Sequence, residues 1–246
     1  MNYRFAAITG AGQGIGRAIA LKLAAEGVSV ALLGRRKDKL EEVAGEIKKL
    51  GYSVKAFPFQ GDVRDKKSTQ EFLRESEKAI GPLDIIVDNA GVGHIGSFAT
   101  LEENEVQELI ETNFMGAVWS TYFAMRLFEE RQRGALVHIS STTTLKPAPQ
   151  ASLYAATKWG MLGLIRSLEE EYIGNKNIRI VNITTGTTFT GFFTDQKDEI
   201  QMKNIIHPED IADCVWWSLG TPSNYQVSSM VVRPLGDYLK NRTKNK

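Results

Sequence analysis

The sequence is poor in several features, and each shortage excludes something. One cysteine, Cys214, is present in 246 residues, so no disulfide can form within the chain, as suits a reducing compartment. Cys214 sits in the apolar stretch 211–216, where a packed thiol is expected rather than a nucleophile. There are three histidines, His94, His138 and His207, and none lies at ligand spacing from cysteine or an acidic cluster, so no metal site is expected. No apolar run approaches the roughly 18 residues of a membrane span. No charged-then-apolar leader precedes the first strand pattern, and the expectation is a cytoplasmic protein without a membrane partner. An excess of one charge is also missing: 30 Lys and Arg face 29 Asp and Glu, for a net charge of +1. That balance gives no pull toward nucleic acid. With no linker, repeat or low-complexity block, residues 1–246 read as one domain, and the basic tail 240–246 reads as a solvated terminus.

What is present is apolar material in a regular alternation. Hydrophobic residues make up 42% of the chain. Strand-length apolar runs fall at 4–9, 29–34, 53–57, 84–88, 135–139, 178–183 and 230–233. Helical patterns lie between them at 14–26, 38–50, 66–80, 103–130, 153–172 and 208–219. Most strands read as nearly continuous apolar segments, as strands buried on both faces do. Gly27 and Gly51 stand as helix C-terminal caps, and Pro208, Glu209 and Asp210 suit a helix first turn. The pattern predicts an α/β protein: a doubly wound parallel sheet of about seven strands with helices on both faces.

In such a sheet ligands bind at the carboxyl ends of the strands, where the strand order reverses. The first strand leads into Thr9-Gly10-Ala11-Gly12-Gln13-Gly14-Ile15-Gly16 and then a helix. Glycines there permit a tight turn and the close approach of a pyrophosphate, whose charge the helix N-terminus favours. The spacing is Gly-x-x-x-Gly-x-Gly, with Ile15 where the commoner Gly-x-Gly-x-x-Gly pattern has its third glycine. The second strand ends in Gly34-Arg35-Arg36. An acid at its end would bind the ribose hydroxyls of NAD, whereas arginine accommodates the 2′-phosphate of NADP, so NADP(H) is favoured over NAD(H).

Tyr154 and Lys158 lie four apart on a helical pattern, hence on one face. A tyrosine with an ordinary pKa of about 10 is a poor acid–base group near neutrality, and a neighbouring ammonium is expected to lower it. Tyr172 and Lys176 share the spacing but straddle a helix end, so they are expected to face water.

Taken together these segments resemble the short-chain dehydrogenase/reductase family along essentially the whole chain, and the resemblance implies a Rossmann-type fold. Thr9 to Gly16 resembles its cofactor fingerprint, implying dinucleotide contacts from Gly10, Gln13, Gly14, Ile15 and Gly16. Asp88-Asn89-Ala90-Gly91 resembles its Asn-Asn-Ala-Gly segment, with Asp88 replacing the first Asn. The resemblance implies that this segment supports the sheet and that Asn89, Ala90 and Gly91 flank the dinucleotide. Asp62 and Val63 resemble its adenine-contacting segment. Asn113 matches the asparagine of its proton relay, and Ser141, thirteen residues before Tyr154 and just beyond the fifth strand, matches its serine. Thr185-Gly186-Thr187-Thr188-Phe189-Thr190 departs from the usual Pro-Gly-x-x-x-Thr by losing the proline, and implies cofactor contacts from Gly186, Thr188 and Thr190.

The activity so implied is hydride transfer between NADP(H) and a small carbonyl or secondary alcohol. Ser141 and Tyr154 would hold the oxygen, Tyr154 would act as acid or base, and Lys158 would tune it and hold the ribose. The resemblance implies that a short segment at about 190–207 closes over the substrate; Phe189, Phe192 and Phe193 fit either an apolar pocket wall or plain packing. A non-catalytic NADP(H)-sensing protein of the same fold is the alternative. Family resemblance further implies a homodimer or homotetramer built on the helices that end near Glu130 and carry Tyr154.

Overall fold

The computed structural model describes residues 3–190, 205–222 and 224–235. Seven parallel strands form one sheet: β1 (Phe5–Thr9), β2 (Ser29–Gly34), β3 (Ala56–Gln60), β4 (Ile85–Asp88), β5 (Gly134–Ser141), β6 (Ile178–Thr185) and β7 (Ser229–Val232). Their spatial order is β3-β2-β1-β4-β5-β6-β7, so the direction of growth reverses between β1 and β4. This is the doubly wound, Rossmann-type arrangement that the alternation predicts.

Between the strands run α1 (Gly14–Ala25), α2 (Lys37–Lys49), α3 (Lys66–Ile80), α4 (Glu103–Leu109), α5 (Ala117–Arg131), α6 (Ser152–Glu171) and α7 (Pro208–Leu219). Side chains alternate across the sheet and divide the core in two. Ile8, Leu32, Val87 and Val137 pack with α1, α2 and α7, whereas Leu33, Ile86 and Leu136 pack with α3, α5 and α6. Helix α3 shows how pattern becomes packing. Thr69, Phe72, Leu73, Ser76 and Ile80 recur at helical spacing and are buried, and Asp65 caps the N-terminus by accepting from the Lys67 N–H at 2.8 Å. Gly27 and Gly51 both adopt left-handed backbone, as caps do. Cys214 is half-buried at the edge of the first core rather than inside it.

Three expectations need correction. The third strand is shifted, Ala56–Gln60 instead of 53–57. Pro58 reads as a strand breaker, but β3 is an edge strand, where a proline costs no ladder bond on its open side. The long helix expected over 103–130 is interrupted by one π-helical turn, Ile110–Gly116, between α4 and α5. Ser141 is the last residue of β5 rather than a residue beyond it, paired in register with Thr185. Of the segment at about 190–207, residues 191–204, including Phe192 and Phe193, lie outside the described residues. The described flanks meet: Phe189 N–H donates to the Ile206 carbonyl at 2.9 Å. The tail 240–246 also lies outside the described residues. Among the described residues no helix is long and apolar enough to cross a membrane.

Candidate active site

A cleft of about 360 Å³ opens at the carboxyl ends of β1, β4, β5 and β6, where the strand order reverses. The glycine loop forms one wall. Gly10 has φ +65°, and a Cβ there would meet the Ala90 Cα at 2.9 Å. Gly16 allows α1 to approach the strand end, because a Cβ on it would lie 2.3 Å from the Gly10 carbonyl oxygen. Gly10, Gln13, Gly14 and Ile15 line the cleft, but Gly16 does not, so its part is packing rather than direct contact.

The loop is pinned from β4. Asn89 Nδ2 donates to the carbonyls of Thr9 (3.0 Å) and Gly10 (3.2 Å), and Thr9 Oγ1 accepts from the N–H groups of Asn89 and Ala90, both at 3.0 Å. Asn89, Ala90 and Gly91 all line the cleft.

At one end of the cleft stand exposed charges. Arg35, Arg36, Lys39, Asp62 and Val63 line it there. Arg35 pairs with Glu108 of α4 at 2.9 Å, and Arg36 donates to the Gln13 side chain. Asp62 is gripped by Arg64, whose Nε donates at 2.9 Å and whose backbone N–H donates at 3.0 Å. Burial alone would raise Asp62, but its bonds to Arg64 outweigh that and hold the carboxyl below its ordinary range. Glu108 also accepts from His94 at 3.0 Å. Sequence reasoning missed Lys39, Glu108 and Arg64. For Lys39 a signal existed, since it stands three and four residues beyond Arg36 and Arg35.

At the other end lie Ser141, Tyr154 and Lys158, all lining the cleft. Tyr154 is hydrogen-bonded to Ser141. Lys158 is only 6% exposed; its Nζ donates to the Ile139 carbonyl at 3.1 Å and sits 6.0 Å from the Tyr154 ring centre. The expected lowering of Tyr154 by Lys158 is not what dominates here. Burial pushes the phenol up, and the Ser141 hydrogen bond opposes it. Burial pushes Lys158 down to about 8, opposed by the Asp88 carboxylate.

Asn113 does not line the cleft. It is buried in the π-helical turn, where its amide clamps Val92: Oδ1 accepts from the Val92 N–H at 2.7 Å, and Nδ2 donates to the Val92 carbonyl at 2.9 Å. Gly91 separates it from Lys158. Gly186, Thr188 and Thr190 line the cleft from the β6 side, and Thr185 Oγ1 bonds Thr188 Oγ1 at 2.9 Å in place of the missing proline's constraint.

The other Tyr–Lys pair is different in kind. Tyr172 bonds Glu129 instead of Lys176, and burial together with that carboxylate drives its phenol up to about 12. Among the described residues no three His, Cys, Asp or Glu side chains are grouped to hold a metal.

The glycine cradle, the pinned loop and the convergence of Ser141, Tyr154 and Lys158 in one cleft fit a dinucleotide laid along it beside a small substrate. Comparison with known proteins agrees. The chain matches the family described as short chain dehydrogenase over residues 4–201. An uncharacterised oxidoreductase of Staphylococcus aureus strain MW2 is 30% identical over 232 residues, 94% of this chain and 97% of the relative. An alcohol dehydrogenase from the archaeon Thermococcus sibiricus, complexed with 5-hydroxy-NADP, has a TM-score of 0.86 at 29% identity, covering 96% of this chain and 100% of that one. A metagenomic short-chain oxidoreductase in complex with NADP has a TM-score of 0.80 at 28% identity, covering 95% and 98%.

Proposed function

The chain belongs to the short chain dehydrogenase family of oxidoreductases, and on that premise we propose that it uses NADP(H) to reduce the carbonyl of a small ketone or aldehyde, or to oxidise the corresponding secondary alcohol. The observation that carries this reading is the placement of Ser141, Tyr154 and Lys158 in the same cleft as the glycine loop and both arginines.

A bound nicotinamide dinucleotide supplies or accepts the hydride. The chain's own residues do the rest. Ser141 Oγ and the Tyr154 hydroxyl hold the substrate oxygen and stabilise the negative charge that develops on it. Tyr154 gives that oxygen a proton in reduction and takes it back in oxidation. Burial raises the phenol, which favours its role as proton donor, and the Ser141 hydrogen bond opposes that rise. Lys158, buried beside Tyr154, supplies positive charge that favours the phenolate formed in reduction, and an ammonium for the ribose hydroxyls. Asn113 clamps the Val92 backbone beside this end, and its part in a proton relay to Lys158 would run through water.

Arg35 and Arg36 would receive the 2′-phosphate, with Lys39 adding a third cation. That contact requires Arg35 to share or leave Glu108. Two solved relatives complexed with NADP or a derivative of it support the same cofactor. Asp62 would accept from the adenine amine once Arg64 shares its carboxylate. The aromatic residues of α5, with Tyr122 exposed and edge-on to Trp119, offer a face for a second copy of the chain.

The test is titration with NADPH and NADH by fluorescence, followed by a panel of aldehydes, ketones and diketones scored by cofactor oxidation. Tight NADPH binding with turnover that disappears in Tyr154→Phe is the expected result. Tight binding with no turnover across the panel would favour the sensing role, and a preference for NADH would overturn the role of the arginines.

A further inference from the structure

Beneath the Tyr154 end of the cleft lies a layer of buried polar side chains that the hydride-transfer reading does not use. Asp88, His138 and Asn182 stand opposite one another in register on β4, β5 and β6. The alternation of the sheet turns them toward α5 and α6, the side on which Leu136 and Ile180 pack. They are 3%, 1% and 0% exposed. Thr121 of α5 donates to Asp88 Oδ2 at 2.7 Å and Ser120 lies against the same carboxylate, whereas Asp88 Oδ1 is buried without a well-formed hydrogen bond among the described residues. Lys158 enters this layer from α6, and its Nζ bonds the carbonyl of Ile139, the residue after His138.

A carboxylate in such a place calls for a reason. Among the described residues its only hydrogen-bonding contacts are two neutral hydroxyl side chains, Thr121 and Ser120, and an asparagine of the same shape could meet them without the desolvation of a charge. The family resemblance has asparagine at this position. What the aspartate adds is its negative charge, and the group that charge acts on is Lys158. The effect is mutual: the carboxylate opposes the fall of Lys158, and the ammonium opposes the rise of Asp88.

We propose that Asp88 is a positioning residue whose carboxylate is the buried counter-charge that keeps the Lys158 ammonium protonated behind Tyr154. The proposal rests on the hydride-transfer reading for its catalytic consequence, but the pairing itself does not. Among the described residues the titratable groups around Lys158 are Asp88 from β4, His138 from β5 and Tyr154 from its own helix; the π-helical turn brings the uncharged Asn113 close by, and Ser120 and Thr121 of α5 lie against Asp88. His138 is held neutral, its pKa pushed to about 3 by burial and further by Lys158. Asp88 is therefore the group whose charge favours the ammonium.

The sign can be followed through. Burial raises Asp88 to about 6, against the opposing effects of Ser120, Thr121 and Lys158. For a carboxyl raised on folding, the stability it contributes is full below its ordinary value and is lost as pH rises through about 6. At pH 8 the ionised carboxylate is thus a burden on the fold that an asparagine would relieve, while the lysine would lose its counter-charge.

The experiment compares wild type with Asp88→Asn. The ε-carbon resonance of Lys158 is titrated in 13C-lysine protein, assigned with Lys158→Met, alongside melting curves at pH 8 and the pH profile of NADPH-dependent reduction. We expect the Lys158 titration and the alkaline limb of kcat/KM to move down together by about one pH unit, with the melting curves showing that the variant is folded at pH 8. An unmoved Lys158 titration in the folded variant overturns the proposal. Tyr154→Phe separates the two readings. If Lys158 moves as expected while Tyr154→Phe still turns over, the counter-charge stands and the Tyr154 mechanism fails.

Discussion

The two ends of the cleft are built on opposite principles. At the Tyr154 end the polar groups are few and buried, and Lys158, Asp88 and His138 are all shifted by burial before any partner is considered. At the Arg35 end the charges are numerous and more open to solvent, and already paired with one another: Arg35 with Glu108 and Asp62 with Arg64. Exposed pairs are worth roughly 0–1 kcal/mol each and can be exchanged for a ligand at little cost. Buried charges cannot be exchanged in this way, because leaving one unpaired costs several kcal/mol. The chemistry is therefore fixed at one end, and selectivity for the dinucleotide is adjustable at the other.

The contrast breaks hardest at Tyr154. Tyr154→Phe should lower kcat for carbonyl reduction by about 10²–10⁴-fold with little change in NADPH affinity; a large loss of binding instead would mean that the two ends are not separable. Next in size, Arg35→Ala combined with Arg36→Ala should weaken NADPH binding by about 10–100-fold and leave NADH binding alone. The loss should shrink as salt rises, because the contact is exposed.

A third effect concerns stability in acid. His138, pushed down to about 3, contributes stability that is complete above its ordinary value of 6.5 and is lost as pH falls toward 3. His138→Asn should flatten the fall of Tm between pH 7 and pH 5, by the equivalent of about 1–2 kcal/mol. An unchanged slope would show that the histidine is not held neutral. Smallest, Glu108→Gln frees Arg35 from its ion pair and should improve NADPH affinity a few-fold, read by the same fluorescence titration. A weakened affinity would show that Glu108 orients Arg35 rather than competing for it.

Much of this was legible in the sequence, and the illegible parts share a cause. Strand alternation predicts the parallel sheet because strands buried on both faces must be apolar throughout, as Ile85–Val87 and Ala135–Val137 are. The four-residue spacing places Tyr154 and Lys158 together because a helix does so wherever it forms. The π-helical turn escaped because one extra residue in a turn leaves the apolar pattern of α4 and α5 readable as a single helix. The end of β3 beyond Pro58 was not legible because tolerance of a proline depends on which neighbour is missing, a property of the sheet rather than of the segment. Arg35 and Glu108 are separated by 73 positions, and no local spacing announces that they meet. Nor does a sequence reveal that burial outweighs the Ser141 hydrogen bond at Tyr154, since desolvation depends on the completed packing.

The strand order also dictates a sequence of events during synthesis. As the chain leaves the ribosome, β2 and then β3 can add successively outward from β1, and only β4 returns to the other side of β1. Every later strand then joins the current outer edge. The Asn89 bonds that pin the glycine loop cannot form until that return, so a nascent chain stopped before Asn89 would lack the brace of its own fingerprint. Dinucleotide binding by truncated ribosome-bound chains should therefore be absent until β4 has emerged, and a ligand that favours the folded form would speed maturation only from that point onward.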